Sequence, residues 1–140
     1  PKVVLYSVVM PQLWQYLGFY IIIFLAGIQS ISSELMENAS LDGASSLQVF
    51  FTIVVPMLRD IVMICVILCV TGCLKAFDHA YIMTWGGPGV WSSFLGLHVY
   101  KTAFKSNDFG LGSAIGISIL VMSLVFTIVF NKLWKESDFN

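Results

Sequence analysis

Charge is what this sequence has least of. Of its 140 residues only 11% are charged, 7 Lys and Arg against 8 Asp and Glu, for a net charge of −1. A soluble domain usually carries about 25% charged residues, and here 58% of residues are hydrophobic with a mean hydropathy of +0.88. That balance excludes a soluble globular domain and places the chain in a bilayer. With no basic patch there is no electrostatic footprint for a phosphate backbone, which sets nucleic acid aside as a partner. Cysteine is scarce as well. Cys65, Cys69 and Cys73 recur every fourth residue, which puts them on one helical face where their thiols do not meet the geometry of a disulfide. No histidine or carboxylate shares that face, so packing is favoured over a metal site. A glycine-rich loop ending in Lys-Ser or Lys-Thr is missing too, so any ATP chemistry has to come from another subunit. His79 and His98 stand isolated and read as structural. The chain reads as a non-enzyme that binds no cofactor or metal of its own.

What is there is long and apolar. Val3 to Ser33 contains no charged residue, and a helix needs about 20 such residues to cross about 30 Å of hydrocarbon. The first membrane span is placed at 10–31. The second apolar run is uncharged only from Ile61 to Leu74, a rise of about 21 Å at about 1.5 Å per residue. It has to borrow length from its flanks, and the span is set at 56–76. The third, 109–131, is uncharged throughout and is followed by Lys132 and Lys135. The expected fold is therefore an all-α membrane protein with three transmembrane helices. Segment 32–55 is a polar loop, 77–108 a re-entrant or surface segment, and 132–140 a tail. Lys132, Lys135 and Arg59 favour the cytoplasm for the loop and the tail, against a weaker opposing count from Lys75, Lys101 and Lys105. Pro1-Lys2 runs straight into apolar sequence with no recognisable cleavage site, as expected for a piece of a longer chain.

The polar loop has its own helical periodicity. Ser32 or Ser33 is positioned to cap a helix starting near Glu34, with Glu34 and Glu37 in its first turns, where negative charge suits the helix dipole. Asp42-Gly43 reads as a turn, since glycine adopts positive φ without penalty. Beyond it, Leu47, Phe50, Phe51 and Val54 fall at helical spacing, an amphipathic second helix that Pro56 hands over to the next span. On these grounds alone the loop is either a surface hairpin without a partner or a docking element. "WGGPG" (85–89) lacks the following Lys and helix start of a phosphate loop and reads as an external turn. Gly112 and Gly116 form a G-x-x-x-G, a close helix-packing face.

The stretch "ELMENASLDGASSLQVFFTIVVP" resembles the EAA signature of ABC importer permeases, with Glu37, Ala39, Asp42, Gly43, Ala44, Phe51, Ile53 and Pro56 in register. Asn38 replaces the first alanine of the pair and Val55 the leucine before the proline. Ser32 and Asp60 stand where prolines are usual. "AFDHAYIMTWGGPG" and "YKTAFKSNDFGLGSAIG" are similar to segments of the permeases that import sugars.

The resemblance implies that 1–140 is the C-terminal half of a permease with about six transmembrane helices, in a bacterial or archaeal cytoplasmic membrane. It implies a sugar or oligosaccharide substrate, a second permease subunit, a cytoplasmic ATPase dimer that uses ATP and Mg, and an extracytoplasmic solute-binding protein. The loop would be the coupling helix that docks on the ATPase. Its contacts would be Glu37, Ala39, Asp42, Gly43 and Ala44, with Leu47, Phe50 and Phe51 as apolar anchors in a groove. For the substrate path it favours Gln12, Gln15, Tyr16 and Phe19 on the first span, and Cys73, Lys75, Ala76 and Phe77, with Thr71, at the outer end of the second. These residues read equally as amides and aromatics at a membrane boundary. Lys75 either snorkels to the interface or faces a wet cavity, with Asp78 at i+3 as a prospective ion-pair partner. A permease for another solute and a membrane scaffold without transport remain the alternatives.

Overall fold

The computed structural model describes residues 2–136. Pro1 and residues 137–140 of the expected tail lie outside the described residues. Among the described residues there is no strand. Helix α1 (Lys2–Gln29) is followed by α2 (Ser33–Leu41), α3 (Ser46–Met57), α4 (Arg59–Leu74), α5 (Asp78–Met83), α6 (Leu95–Tyr100) and α7 (Phe109–Glu136). Among the described residues three stretches are long and apolar enough to cross a membrane: Val3–Gln29, Arg59–Met83 and Phe109–Lys135.

Each stretch differs from its sequence expectation at an end. The first helix starts near Lys2 rather than at residue 10, because nothing before Pro11 breaks it. A proline inside a helix removes one hydrogen bond, and α1 continues through it. The second stretch, Arg59–Met83, starts and ends later than the expected 56–76. α4 ends at Leu74, Lys75 donates its N–H back to Thr71 and Gly72, and the chain turns through Ala76 and Phe77 before α5 resumes at Asp78. The third helix runs on past residue 131, because Lys132 and Lys135 extend it without interrupting it.

The chain folds as two compact units. One holds residues 16–66, with the second half of α1, α2, α3 and the start of α4. Its core is Ile31, Val54 and Leu58, covered by Phe24, Met36 and Ile61. Gly27 lets α1 come close to α4 here, since a Cβ at that position would collide with Ile61 Cδ1.

The other unit holds, of the described residues, 2–15 and 67–136. Val8, Ala80 and Leu97 form its core, with Phe77, Tyr81 and Phe94 packed around them. α6 continues into a π-helical turn, Lys101–Lys105, against which α7 packs closely. A Cβ on Gly112 would lie 2.7 Å from Ala103 Cβ, whereas one on Gly116 would meet nothing within 4 Å. The expected glycine pair thus divides, with Gly112 making the close approach and Gly116 leaving open space. Asp108 caps α7 by accepting from the Leu111 N–H at 2.9 Å.

Candidate functional site

Two regions concentrate the residues singled out in the sequence. In the first, α2 ends in a motif built around Gly43, whose φ is +83°. The Ala44 N–H donates to the Ala39 carbonyl at 3.0 Å and the Gly43 N–H to the Ser40 carbonyl at 3.1 Å. This nested pair of bonds is a Schellman motif, and it needs the residue after the cap in the left-handed region. Ser45 then caps α3 through a reciprocal box: its Oγ accepts from the Gln48 N–H at 3.4 Å, and its own N–H donates to Gln48 Oε1 at 2.8 Å. The S-x-x-Q spacing is the sequence signature of such a box. At the other end Ser32 holds the cap position of α2 without a side-chain bond, so the expected serine cap is positional only.

Within α3 the helix widens to π register over Phe50–Val54, with the Val55 N–H bonded to the Phe50 carbonyl. Pro56 explains this: it offers no N–H to the Thr52 carbonyl, and its ring crowds that oxygen. Ala39, Asp42, Gly43 and Ala44 line a concavity of about 420 Å³ with Gln48, Val49, Thr52 and Ile53. Leu47, Phe50 and Phe51 lie outside it and are 71%, 45% and 66% exposed. The Phe50 and Phe51 rings meet edge to face at 5.2 Å. Glu37 is exposed on α2.

The second region is a cleft of about 720 Å³ between the end of α4, α6 and α7. Its polar lining comes from Thr71, Lys75, Ser123 and Thr127, and Phe77, Leu120 and Leu124 are among its apolar walls. Each hydroxyl donates to its own helix: Thr71 to Ile67 O at 2.7 Å, Ser123 to Ile119 O and Thr127 to Ser123 O at 2.8 Å. Their oxygens keep lone pairs for a ligand's donors, and Lys75 supplies N–H groups. A volume of this size falls in the range of about 300–1,000 Å³ usual for small-ligand sites. Gly96 narrows the floor, where a Cβ would lie 2.7 Å from Ala76 O and 2.9 Å from Lys75 O.

Residues 2–134 match the family described as binding-protein-dependent transport system inner membrane component. This chain belongs to that family. It is 40% identical over 122 residues to a putative ABC transporter permease of Caldicellulosiruptor sp., covering 87% of each. It is 39% identical over 126 residues to the multiple sugar-binding transport system permease protein MsmF of Streptococcus mutans, covering 90% of this chain and 43% of that one. To the trehalose/maltose transport system permease protein MalF of Thermococcus litoralis it is 35% identical over 130 residues, covering 93% and 44%. The chain therefore spans less than half the length of these two sugar-system relatives.

The relatives named here are permease proteins of transport systems. Of the residues expected to line its substrate path, Lys75 and Phe77 line the cleft, with Thr71. Cys73 is exposed near the end of α4, and Ala76 contributes its carbonyl to the close contact with Gly96. Gln12, Gln15, Tyr16 and Phe19 lie along α1, with Tyr16 and Phe19 44% and 50% exposed. Asp78 opens α5 beyond the break instead of following Lys75 on one helical turn, and among the described residues no ion pair joins the two. That removes the expected i+3 pair. Ser123, Thr127 and Gly116 were not anticipated as lining residues. A hydroxyl in a transmembrane helix that bonds its own backbone carries no mark of the face it lies on. Among the described residues no group of His, Cys, Asp and Glu is placed to hold a metal.

Proposed function

We propose that this chain is part of the membrane-spanning permease of an ATP-driven, binding-protein-dependent sugar importer. The match to the family over residues 2–134, with relatives named for multiple sugars and for trehalose and maltose, carries the reading. In it, segment 32–55 faces the cytoplasm and docks on an ATPase subunit. Leu47, Phe50 and Phe51 are its apolar anchors, and the concavity around Gly43 receives part of the partner surface. ATP and Mg belong to that subunit, which works as a dimer. A second permease and an external solute-binding protein complete the assembly. Segment 77–108 lies on the outer side, and the cleft at Lys75 and Phe77 is a stretch of the sugar path. Hydroxyl oxygens, one ammonium and an aromatic wall suit a neutral polyol, which needs acceptors, a donor and an apolar face.

Co-expression of the full-length gene with its neighbouring ATPase, permease and binding-protein genes, in a host stripped of its own sugar uptake, tests this. ATP-dependent accumulation of a labelled sugar from a panel that includes maltose and trehalose is the expected result. Failure across the panel, with the complex assembled, would overturn the sugar reading.

A further inference from the structure

Phe77 belongs to two constructions at once. It lines the cleft, and it starts a chain of ring contacts leading away from it. Its ring stacks on Tyr81 at 4.9 Å and meets Tyr100 at 5.4 Å. Tyr81 lies 4.5 Å from Trp85 and 5.2 Å from Tyr100, and Tyr100 lies 5.3 Å from Phe104. Trp85 and Phe104, at the far end, are 38% and 62% exposed. Phe77 and Tyr81 are held in place because they also pack on the Val8, Ala80 and Leu97 core. Lys105 Nζ sits 5.2 Å from the Trp85 ring centroid and steadies that ring.

We propose that Phe77, Tyr81, Tyr100 and Trp85 form an aromatic track on which pyranose rings stack while a sugar passes between the exposed Trp85 end and the cleft. The inference rests on the sugar-importer reading. An aromatic face carries negative quadrupole density, and the C–H face of a pyranose presents weakly positive hydrogens to it. Such stacking is tolerant of which hydroxyls a sugar carries, so it guides without fixing the ligand. Neighbouring rings touch, with centroids 4.5–5.4 Å apart, so they form one continuous aromatic surface along which a saccharide passes from ring to ring without returning fully to water. At the Phe77 end the hydroxyls of Thr71, Ser123 and Thr127 and the amine of Lys75 take over with directional hydrogen bonds.

The test uses the complete transporter in proteoliposomes with its ATPase and binding protein, and a panel of radiolabelled mono- and disaccharides including maltose and trehalose. Trp85→Leu and Tyr100→Leu are compared with Trp85→Phe and Tyr100→Phe. The track predicts that the leucine variants lose about two- to tenfold in sugar uptake, keep binding-protein-stimulated ATP hydrolysis, and are rescued by phenylalanine. Wild-type uptake in the leucine variants would overturn the track and leave the sugar reading standing. Parallel loss of uptake and hydrolysis would also overturn it, by showing the rings to be an interfacial anchor. If the wild-type complex moves no sugar on the panel, the importer reading itself fails and the track with it.

Discussion

Thr84 Oγ1 and Ser92 Oγ lie 2.7 Å apart and close the turn that contains the W-G-G-P-G run. Ser92, fully buried, donates to the Gly87 carbonyl at 2.9 Å, and Thr84 Oγ1 accepts from the Gly86 N–H at 3.2 Å. Trp85, Gly86 and Gly89 all take positive φ here. The run that reads in sequence as an external turn is a turn closed by these hydrogen bonds, with Trp85 exposed.

Ser92→Ala removes a donor from a site closed to water and leaves the Gly87 carbonyl short of a partner. The expected loss is about 1–3 kcal/mol, seen as a lower melting temperature of the detergent-solubilised complex. Ser93→Ala, at a neighbour that is not fully buried, should melt close to wild type. Equal melting of the two variants would remove Ser92 from the turn's support.

Gly43 has open space around it, because a Cβ there would meet nothing within 4 Å, so substitution meets torsional strain alone. Its φ of +83° costs an L-residue about 1–2 kcal/mol, and more for a β-branched one, whereas asparagine visits the region readily. Gly43→Val should lower sugar-stimulated ATP hydrolysis in the reconstituted complex while the membrane subunits still assemble. Gly43→Asn should retain most of it. Full stimulation in the valine variant would count against this loop as the coupling element.

Gly96 and Gly116 are expected to behave oppositely. Alanine at 96 drives a methyl into the backbone carbonyls of Lys75 and Ala76, which have no rotamer to escape by. Overpacking of that kind costs about 1–3 kcal/mol, and Gly96→Ala should lower both folded yield and melting temperature. Gly116→Ala enters open space in the cleft and should leave both near wild type. A destabilised Gly116→Ala would mean that the cleft closes in the assembled transporter.

Lys75 and Asp78 also separate. Lys75 lines the cleft, while Asp78 begins the next helix after a turn. Lys75→Gln should reduce sugar uptake severalfold with the complex intact, and Asp78→Asn should leave it nearly unchanged. Loss of uptake in both would restore the ion pair, and wild-type uptake in the lysine variant would make it a snorkelling residue.

The sequence alone determined what is governed by short range. Uncharged runs near Phe19, Ile67 and Val121 mark the three long apolar stretches, because burying a charge in hydrocarbon is costly at any position in the fold. Asp42-Gly43-Ala44 marks the end of α2, because a left-handed residue after a helix is a local torsional requirement. The Ser45–Gln48 box was legible for the same reason. Tertiary structure alone decided which residues share a cleft. Thr71 and Lys75 meet Gly116, Ser123 and Thr127 only because α6, seated by Gly96 on the Lys75 and Ala76 carbonyls, lets α7 pack beside it. It also decided that Gly112 approaches Ala103 while Gly116 does not, and that Ser92 is buried. In a helix that is apolar all round, periodicity does not say which face has a neighbour, and that choice is made by packing between segments far apart in the chain.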